Sequence, residues 1–355
     1  MTMASPTKTE AIAKAGDEAA IGLVSSRRWR WWEYAFWLVA IALFFIFGDF
    51  IPGIPTKLML LSEIISLALL ALSIDLVLGY AGIVTLGQGA FFGLGAYAAG
   101  LMAKWGAGTF PLSDPVIGLL VAGLVAGAVG FITSFLVLRG SDLTRLMVTL
   151  GVALILAELA NQMRWLTGGA DGLQGVMSSP VLGIWDFDLW GTTAYLYSLV
   201  VLFVLFWLAR RIVGSPLGLS MRAIKGNPLR SRAIGVPVNP RLVTIYTIAA
   251  AYAGIAGGLL AQTTQSASPD MIAFHRSADA LLILVFGGAG HLYGGLIGSV
   301  FFRVMQDVIG NITLQYWQFW LGVVLVLLVL FVRGGIIGLI ERTAQKLSSR
   351  KEDGA

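Results

Sequence analysis

Three carboxylates stand inside apolar runs of this chain, Glu63, Asp75 and Glu158, with Gln88, Asn161 and Gln162 as polar company. In hydrocarbon each ionised group costs roughly 2.5–3.5 kcal/mol on insertion scales, so such residues mark function unless something pairs them. Two readings are open. In one, they bond to backbone or Ser/Thr hydroxyls between packed helices. In the other, Asp75, Gln88 and Glu158 face a water-filled passage. A proton relay needs more than three isolated carboxylates, and no Lys or Arg partner is expected for them inside the membrane. Other chemistries lack their residues. There is no cysteine, and the two histidines, His275 and His291, read as loop or interface residues. Neither Gly-Lys-Ser nor Gly-Lys-Thr occurs, so no P-loop cradles a phosphate. No nucleophile–base pair stands out for covalent catalysis.

A second constellation is more specific. Residues 215–236 read SPLGLSMRAIKGNPLRSRAIGV, basic and punctuated by Pro216 and Pro228. A short amphipathic helix fits 219–225 or 228–234, with Gly235 as its stop. Arg222, Lys225 and Arg230 would form its polar face, and Leu219, Ile224 and Ile234 its apolar one. Such a helix either anchors on anionic lipid or lies along the membrane and docks a partner.

The elements that must hold these residues follow from composition. Of 355 residues 57% are hydrophobic and only 12% are charged. That charged share is about half that of an ordinary soluble domain, and mean hydropathy is +0.83. Disorder, a soluble enzyme fold and nucleic-acid binding are excluded. The net charge of +5 sits in clusters between apolar runs, as it does in a membrane-oriented bundle. The chain is expected to be an all-α integral membrane protein in a lipid bilayer. Candidate spans are 34–51, 58–79, 85–104, 115–138, 143–165, 192–211, 241–262, 276–288, 293–310 and 316–335. The eighth and ninth are short helices separated at the glycines of 287–295. With ten spans both termini share one side, and 19 of the 24 Lys and Arg fall there, in the tail 1–33, at 139–145, in 210–241 and in the C-terminal stretch. The positive-inside rule makes that side cytoplasmic. The expected organisation is a cytoplasmic tail 1–33, a membrane domain 34–335 and a cytoplasmic tail 336–355. Two connections exceed mere turns, 166–191 outside and 212–240 inside. Of the 44 glycines 24 fall within these spans, where small residues let backbones approach and where broken helices line passages. A faint echo links GAYAAGL at 95–101 with AYAGIAG at 251–257.

Four motifs, together covering about residues 60–310, carry a resemblance. They are LGYAG at 78–82 with LGQGAFFGLGAY at 86–97, LTGGADGL at 166–173, the stretch 218–235, and FGGAGHLYGGLIG at 286–298. In order and spacing the chain resembles the permease subunits of high-affinity branched-chain amino acid ABC importers, specifically the LivM-like half. The resemblance implies a type II ABC importer-like permease of about ten helices, some short or broken, in a bacterial inner membrane. It implies a second homologous permease (LivH-like), two cytoplasmic ATPase subunits, and a periplasmic amino-acid-binding protein. ATP and Mg would be bound by the ATPases, and no cofactor by this chain. Carried over residue by residue, Gly218, Arg222, Ala223, Lys225, Asn227, Pro228, Arg232 and Gly235 would dock the ATPase. Asp75, Gly82, Thr85, Gln88, Glu158 and Asn161 would line the translocation path, and Gly168, Gly169, Asp171 and Gly172 would meet the binding protein. The chain departs from the family at Ser231-Arg232, where an acidic residue is frequent, at Asp75, where many members have Asn, and at Leu154, where many have Glu. Relatives of the same fold move urea. Rival classes are an ion-driven carrier using Asp75 and Glu158 as coupling groups, and a channel or membrane scaffold.

Overall fold

The computed structural model describes residues 58–106, 114–140, 142–176 and 191–312, with short pieces at 37–40, 42, 179–181, 183–187, 319–320, 322–324, 326 and 335–338. Helix α1 spans Leu58–Ile74 and continues as wider π-helix from Asp75 to Tyr80. Then follow α2 (Gln88–Trp105), α3 (Pro115–Val137), α4 (Asp142–Gln162), α5 (Thr192–Val213), α6 (Pro216–Gly226), α7 (Pro228–Ala233), α8 (Val238–Thr264), α9 (Phe274–Gly287) and α10 (Leu292–Ile312). Local chemistry sets several ends. The Asp114 carboxylate accepts from the Val116 N–H at 3.0 Å with Pro115 in the first helical position, a start that satisfies an orphan donor. Between α9 and α10 the chain turns through Gly288 and Gly290 at φ 106° and 90°, a conformation that a side chain rarely tolerates.

Among the described residues six helices are long and apolar enough to cross a membrane: Leu58–Tyr80, Pro115–Val137, Asp142–Gln162, Thr192–Val213, Val238–Thr264 and Leu292–Gly310. The expected spans 85–104 and 276–288 coincide with α2 and the short α9, so the glycine cluster does separate two helices. Spans 34–51 and 316–335 lie mostly outside the described residues, as do the tail 1–33 and nearly all of 336–355.

The centre of the bundle is α2, α3 and α8, held together by missing side chains. A Cβ on Gly95 would strike the backbone at Gly254, and one on Gly257 the backbone at Phe92; Gly254 also rests on Ala122 and Ala126 of α3. The two segments of the faint sequence echo therefore meet face to face, each small because the other is close. Lipid offers no hydrophobic drive for association, so close approach and polar bonds must supply it. Ser66 of α1 donates to the Ala256 carbonyl at 2.9 Å, Tyr252 to the Leu205 carbonyl of α5 at 3.0 Å, and Gln262 to the Pro115 carbonyl at 2.9 Å.

Helix α4 is the exception. Few of its residues are buried, and Leu143, Met147, Leu154, Ile155 and Leu159 are each at least half exposed. A two-residue antiparallel pairing, Leu173 with Ala267 and Gln174 with Ser266, ties the segment after α4 to the end of α8. At the opposite end of the bundle, α6 and α7 form an elbow whose α6 limb meets the end of α1.

Candidate functional site

The stretch 215–236 folds as two helices, where the sequence predicts a single short one over 219–225 or 228–234. Both proline positions are helix starts: Pro216 opens α6 and Pro228 opens α7, where the missing N–H costs nothing. Asn227 makes the corner, its side-chain oxygen accepting from the Arg230 N–H at 3.0 Å as an N-cap does. Gly235 leaves the elbow at φ 87°. Gly218 is buried so tightly that a Cβ would meet the Val213 backbone. The expected apolar face of Leu219, Ile224 and Ile234 is corrected: Ile224 turns inward beside Met221, whereas Leu219 and Ile234 remain exposed together with Leu229. Two separate helices cannot present these three side chains on one stripe. Ala223, Asn227, Pro228, Arg230, Arg232 and Gly235 fall on the elbow as well, and all but Ala223, Arg230 and Arg232 are backbone-shaping residues. The outer surface of the elbow mixes cations with large apolar groups.

Two of its cations look into the bundle. The Lys225 ammonium donates to the Gly79 carbonyl at 2.6 Å, and the Arg222 guanidinium lies 5.3 Å from the centre of the Tyr80 ring. Both targets belong to the π-helical end of α1. Asp75, also there, is fully buried, and its Oδ1 accepts from the Gly290 N–H at 2.6 Å. Gly82, at φ 72°, packs on the Lys225 stem.

The other candidate path residues do not join that cluster. Thr85 and Gln88 flank the non-helical turn into α2, whose backbone is held by hydroxyls from three places. Thr85 Oγ1 accepts from Gly87 N–H at 3.2 Å, Thr149 Oγ1 of α4 from Leu86 N–H at 3.3 Å, and Ser277 Oγ of α9 from Gly89 N–H at 2.8 Å. Gln88 is fully buried, yet neither its Oε1 nor its Nε2 has a hydrogen-bond partner among the described residues. Glu158 and Asn161 lie further along α4, and Glu158 accepts from Gln162 on its own helix at 2.7 Å. The six residues thus divide among three places: the break of α1, the entry to α2, and the outer turns of α4.

The glycines of LTGGADGL are conformational. Gly168, Gly169 and Gly172 have φ of 79°, 66° and 68°. A Cβ on Gly172 would crowd Ala267 and Ser268 in the paired segment. Thr167 donates back to the Met163 carbonyl at 3.0 Å, closing the turn after α4. Asp171 stands exposed on this end.

Sequence reasoning misses one pair outright. Glu63 is not isolated: Arg303 of α10 donates to its Oε2 at 2.6 Å, each side chain 24% exposed. Arg303 sits inside the apolar run 293–310, and that is the available signal. The hydroxyls of Thr149 and Ser277 also escape it, since nothing in their local sequence announces a bond to another helix.

Residues 57–332 match the family model described as the branched-chain amino acid transport system / permease component. The high-affinity branched-chain amino acid transport system permease protein LivM of Salmonella typhimurium is 28% identical over 81% of this chain and 71% of its own length. LivM of Escherichia coli is 28% identical over 76% of this chain and 67% of its own. A probable branched-chain amino acid transport permease protein LivH of Methanocaldococcus jannaschii is 28% identical over 68% of this chain and 76% of its own. No solved structure matches.

Proposed function

The chain belongs to the branched-chain amino acid transport system permease family, and on that premise we propose that it is a membrane-spanning subunit of an ATP-driven importer for branched-chain amino acids. It works by alternating access in a bacterial inner membrane, with about ten spans and both termini cytoplasmic. It holds no fuel: ATP and Mg belong to two ATPase subunits seated on the α6–α7 elbow. The single observation that supports this most is the elbow itself. Arg230, Arg232, Leu229 and Ile234 are turned outward while Met221 and Ile224 are buried, a partner surface on one side and a bundle surface on the other.

Exposed α4 supports a second homologous permease as neighbour. Facing lipid, Glu158 and Asn161 would each cost free energy; facing a shared aqueous path between two permeases, they would not. Thr85 and Gln88 line that path at the entry to α2, and Gln88 keeps unspent hydrogen-bonding capacity there. The opposite end, with Gly168, Gly169, Asp171 and Gly172, receives the periplasmic binding protein. Asp75 is already bonded to Gly290, which speaks against an ion-coupling role.

The test is co-purification of the ATPase subunits with the permease pair. Replacing Arg230 and Arg232 by Glu and Leu229 by Asp should remove the ATPases from an intact permease pair. Their undiminished retention would overturn the assignment of the elbow.

A further inference from the structure

Three stretches far apart in sequence converge at the inner face of the elbow: the π-helical end of α1, the end of α6, and the glycine turn between α9 and α10. Their contacts are serial. Lys225 binds the Gly79 carbonyl at 2.6 Å. Gly79 is packed so closely that a methyl there would land on the Asp75 carboxylate and lie 2.8 Å from the Gly290 nitrogen. Asp75 in turn holds the Gly290 N–H at 2.6 Å. Each link is specific. A π-helical end followed by irregular chain leaves carbonyls to be satisfied from outside, and such bulges recur at functional sites. A buried carboxylate needs a partner, and here Oδ1 accepts from the Gly290 N–H. Its second oxygen, Oδ2, has no partner among the described residues, so the Gly290 N–H is the hydrogen bond that fixes the carboxylate. The Arg222 cation over Tyr80 gives α6 a second grip on the same turn.

We propose that Lys225–Gly79 and Asp75–Gly290 form one rigid link through which displacement of α6 is passed to the ends of α1 and α9, making Lys225 and Asp75 positioning residues of the transport cycle. Neither is then an ATPase contact or a substrate ligand. The inference rests on the reading of α6–α7 as the seat of the ATPases. It adds that α6 and the end of α1 move as one body, with no sliding between them.

The complete transporter, reconstituted in proteoliposomes with its binding protein, tests this. Lys225→Met keeps the stem and removes the donor. The expected result is retained ATPase co-purification, ATP hydrolysis within about twofold of the parent, and uptake per ATP reduced at least tenfold, with Lys225→Arg restoring most of it. Asp75→Asn should lower maximal uptake with substrate KM unchanged, and adding it to Lys225→Met should cost little more, as for members of one network. Loss of ATPase binding in Lys225→Met would instead make Lys225 a docking contact and overturn the link. A raised KM in Asp75→Asn would make Asp75 a ligand, and unaltered coupling in both would dismiss the link. Each of these leaves the broader assignment of the elbow standing, since that fails only if ATPases bind without it. A crosslink keeps the proposal open to refutation should the point variants fold poorly. The chain has no cysteine. A Cβ built on Gly82 lies 3.3 Å from the Cβ of Lys225, close to the separation that a disulfide spans. The reduced pair G82C and K225C lacks the Lys225 donor and should import as poorly as Lys225→Met, whereas oxidation, by tying α6 covalently to the end of α1, should raise uptake severalfold if the two parts move together. Uptake that oxidation leaves unchanged or lowers further would overturn the link.

Discussion

Asp75 and Glu158 are carboxylates on helices long enough to cross a bilayer, and their surroundings are opposite. Asp75 is buried at the break of α1, bound to a backbone N–H of another hairpin, and beside a glycine that leaves no room for a methyl. Glu158 stands on the outer turns of α4, bonded to Gln162 one turn away. The contrast extends to the helices around them: α2, α3 and α8 approach to backbone contact, whereas Gly151 of α4 has nothing within 4 Å of a built Cβ. A charge inside a membrane protein can therefore be part of the packing or part of an exposed helix face, and the backbone spacing around it tells which.

Glycine replacement should widen that contrast most. Gly95→Val forces α2 off α8, and because the obstacle is backbone it should cost at least about 3 kcal/mol, the upper end for overpacking. Gly151→Val on α4 should cost far less. Recovery of monodisperse permease after heating in detergent reads both, and equal losses would erase the distinction between centre and rim.

Next is the pair that unites α1 and α10. Glu63→Ala leaves Arg303 without its carboxylate in a largely apolar setting and should cost up to roughly 3 kcal/mol, the low end for a broken buried pair. The low end applies because each side chain keeps 24% exposure. Glu63→Ala with Arg303→Met should regain much of the stability in the same thermal assay. A single variant as stable as the parent would class the pair with ordinary surface ion pairs.

The hydroxyls at the entry to α2 come third. Thr149→Val and Ser277→Ala each free one N–H, of Leu86 or Gly89, at about 1 kcal/mol apiece. The same thermal assay reads them, and no loss in either would mean that water replaces the hydroxyl. Glu158→Gln should be smallest in stability, within about 0.5 kcal/mol as for other exposed substitutions, yet it should reduce uptake severalfold if α4 lines a shared path. Unchanged uptake would return Glu158 to the lipid-facing surface.

Much of the architecture is legible in the sequence because the membrane simplifies the code. Apolar runs mark the long helices, and the glycines of 287–295 correctly divide α9 from α10. The prolines at 216 and 228 mark both helix starts of the elbow, although the pattern between them suggests one helix rather than two. What escapes is long-range. Nothing local in 75–80 signals π-helix; the close packing of Gly79 against the α9–α10 turn is visible only in three dimensions. The strand pair of 173–174 with 266–267 is too short to leave an alternating pattern. Arg303 goes unrecognised as the partner of Glu63 when charge is weighed run by run, because the pair forms between runs 240 residues apart.

The most direct measurement is uptake of labelled leucine by proteoliposomes holding the two purified permeases, with the ATPase subunits present or omitted. Accumulation against a gradient should occur only when ATPases, ATP and the loaded binding protein are all supplied. Uphill accumulation by the permeases alone, driven by an ion gradient, would contradict the proposal that this subunit is moved from its elbow by another chain.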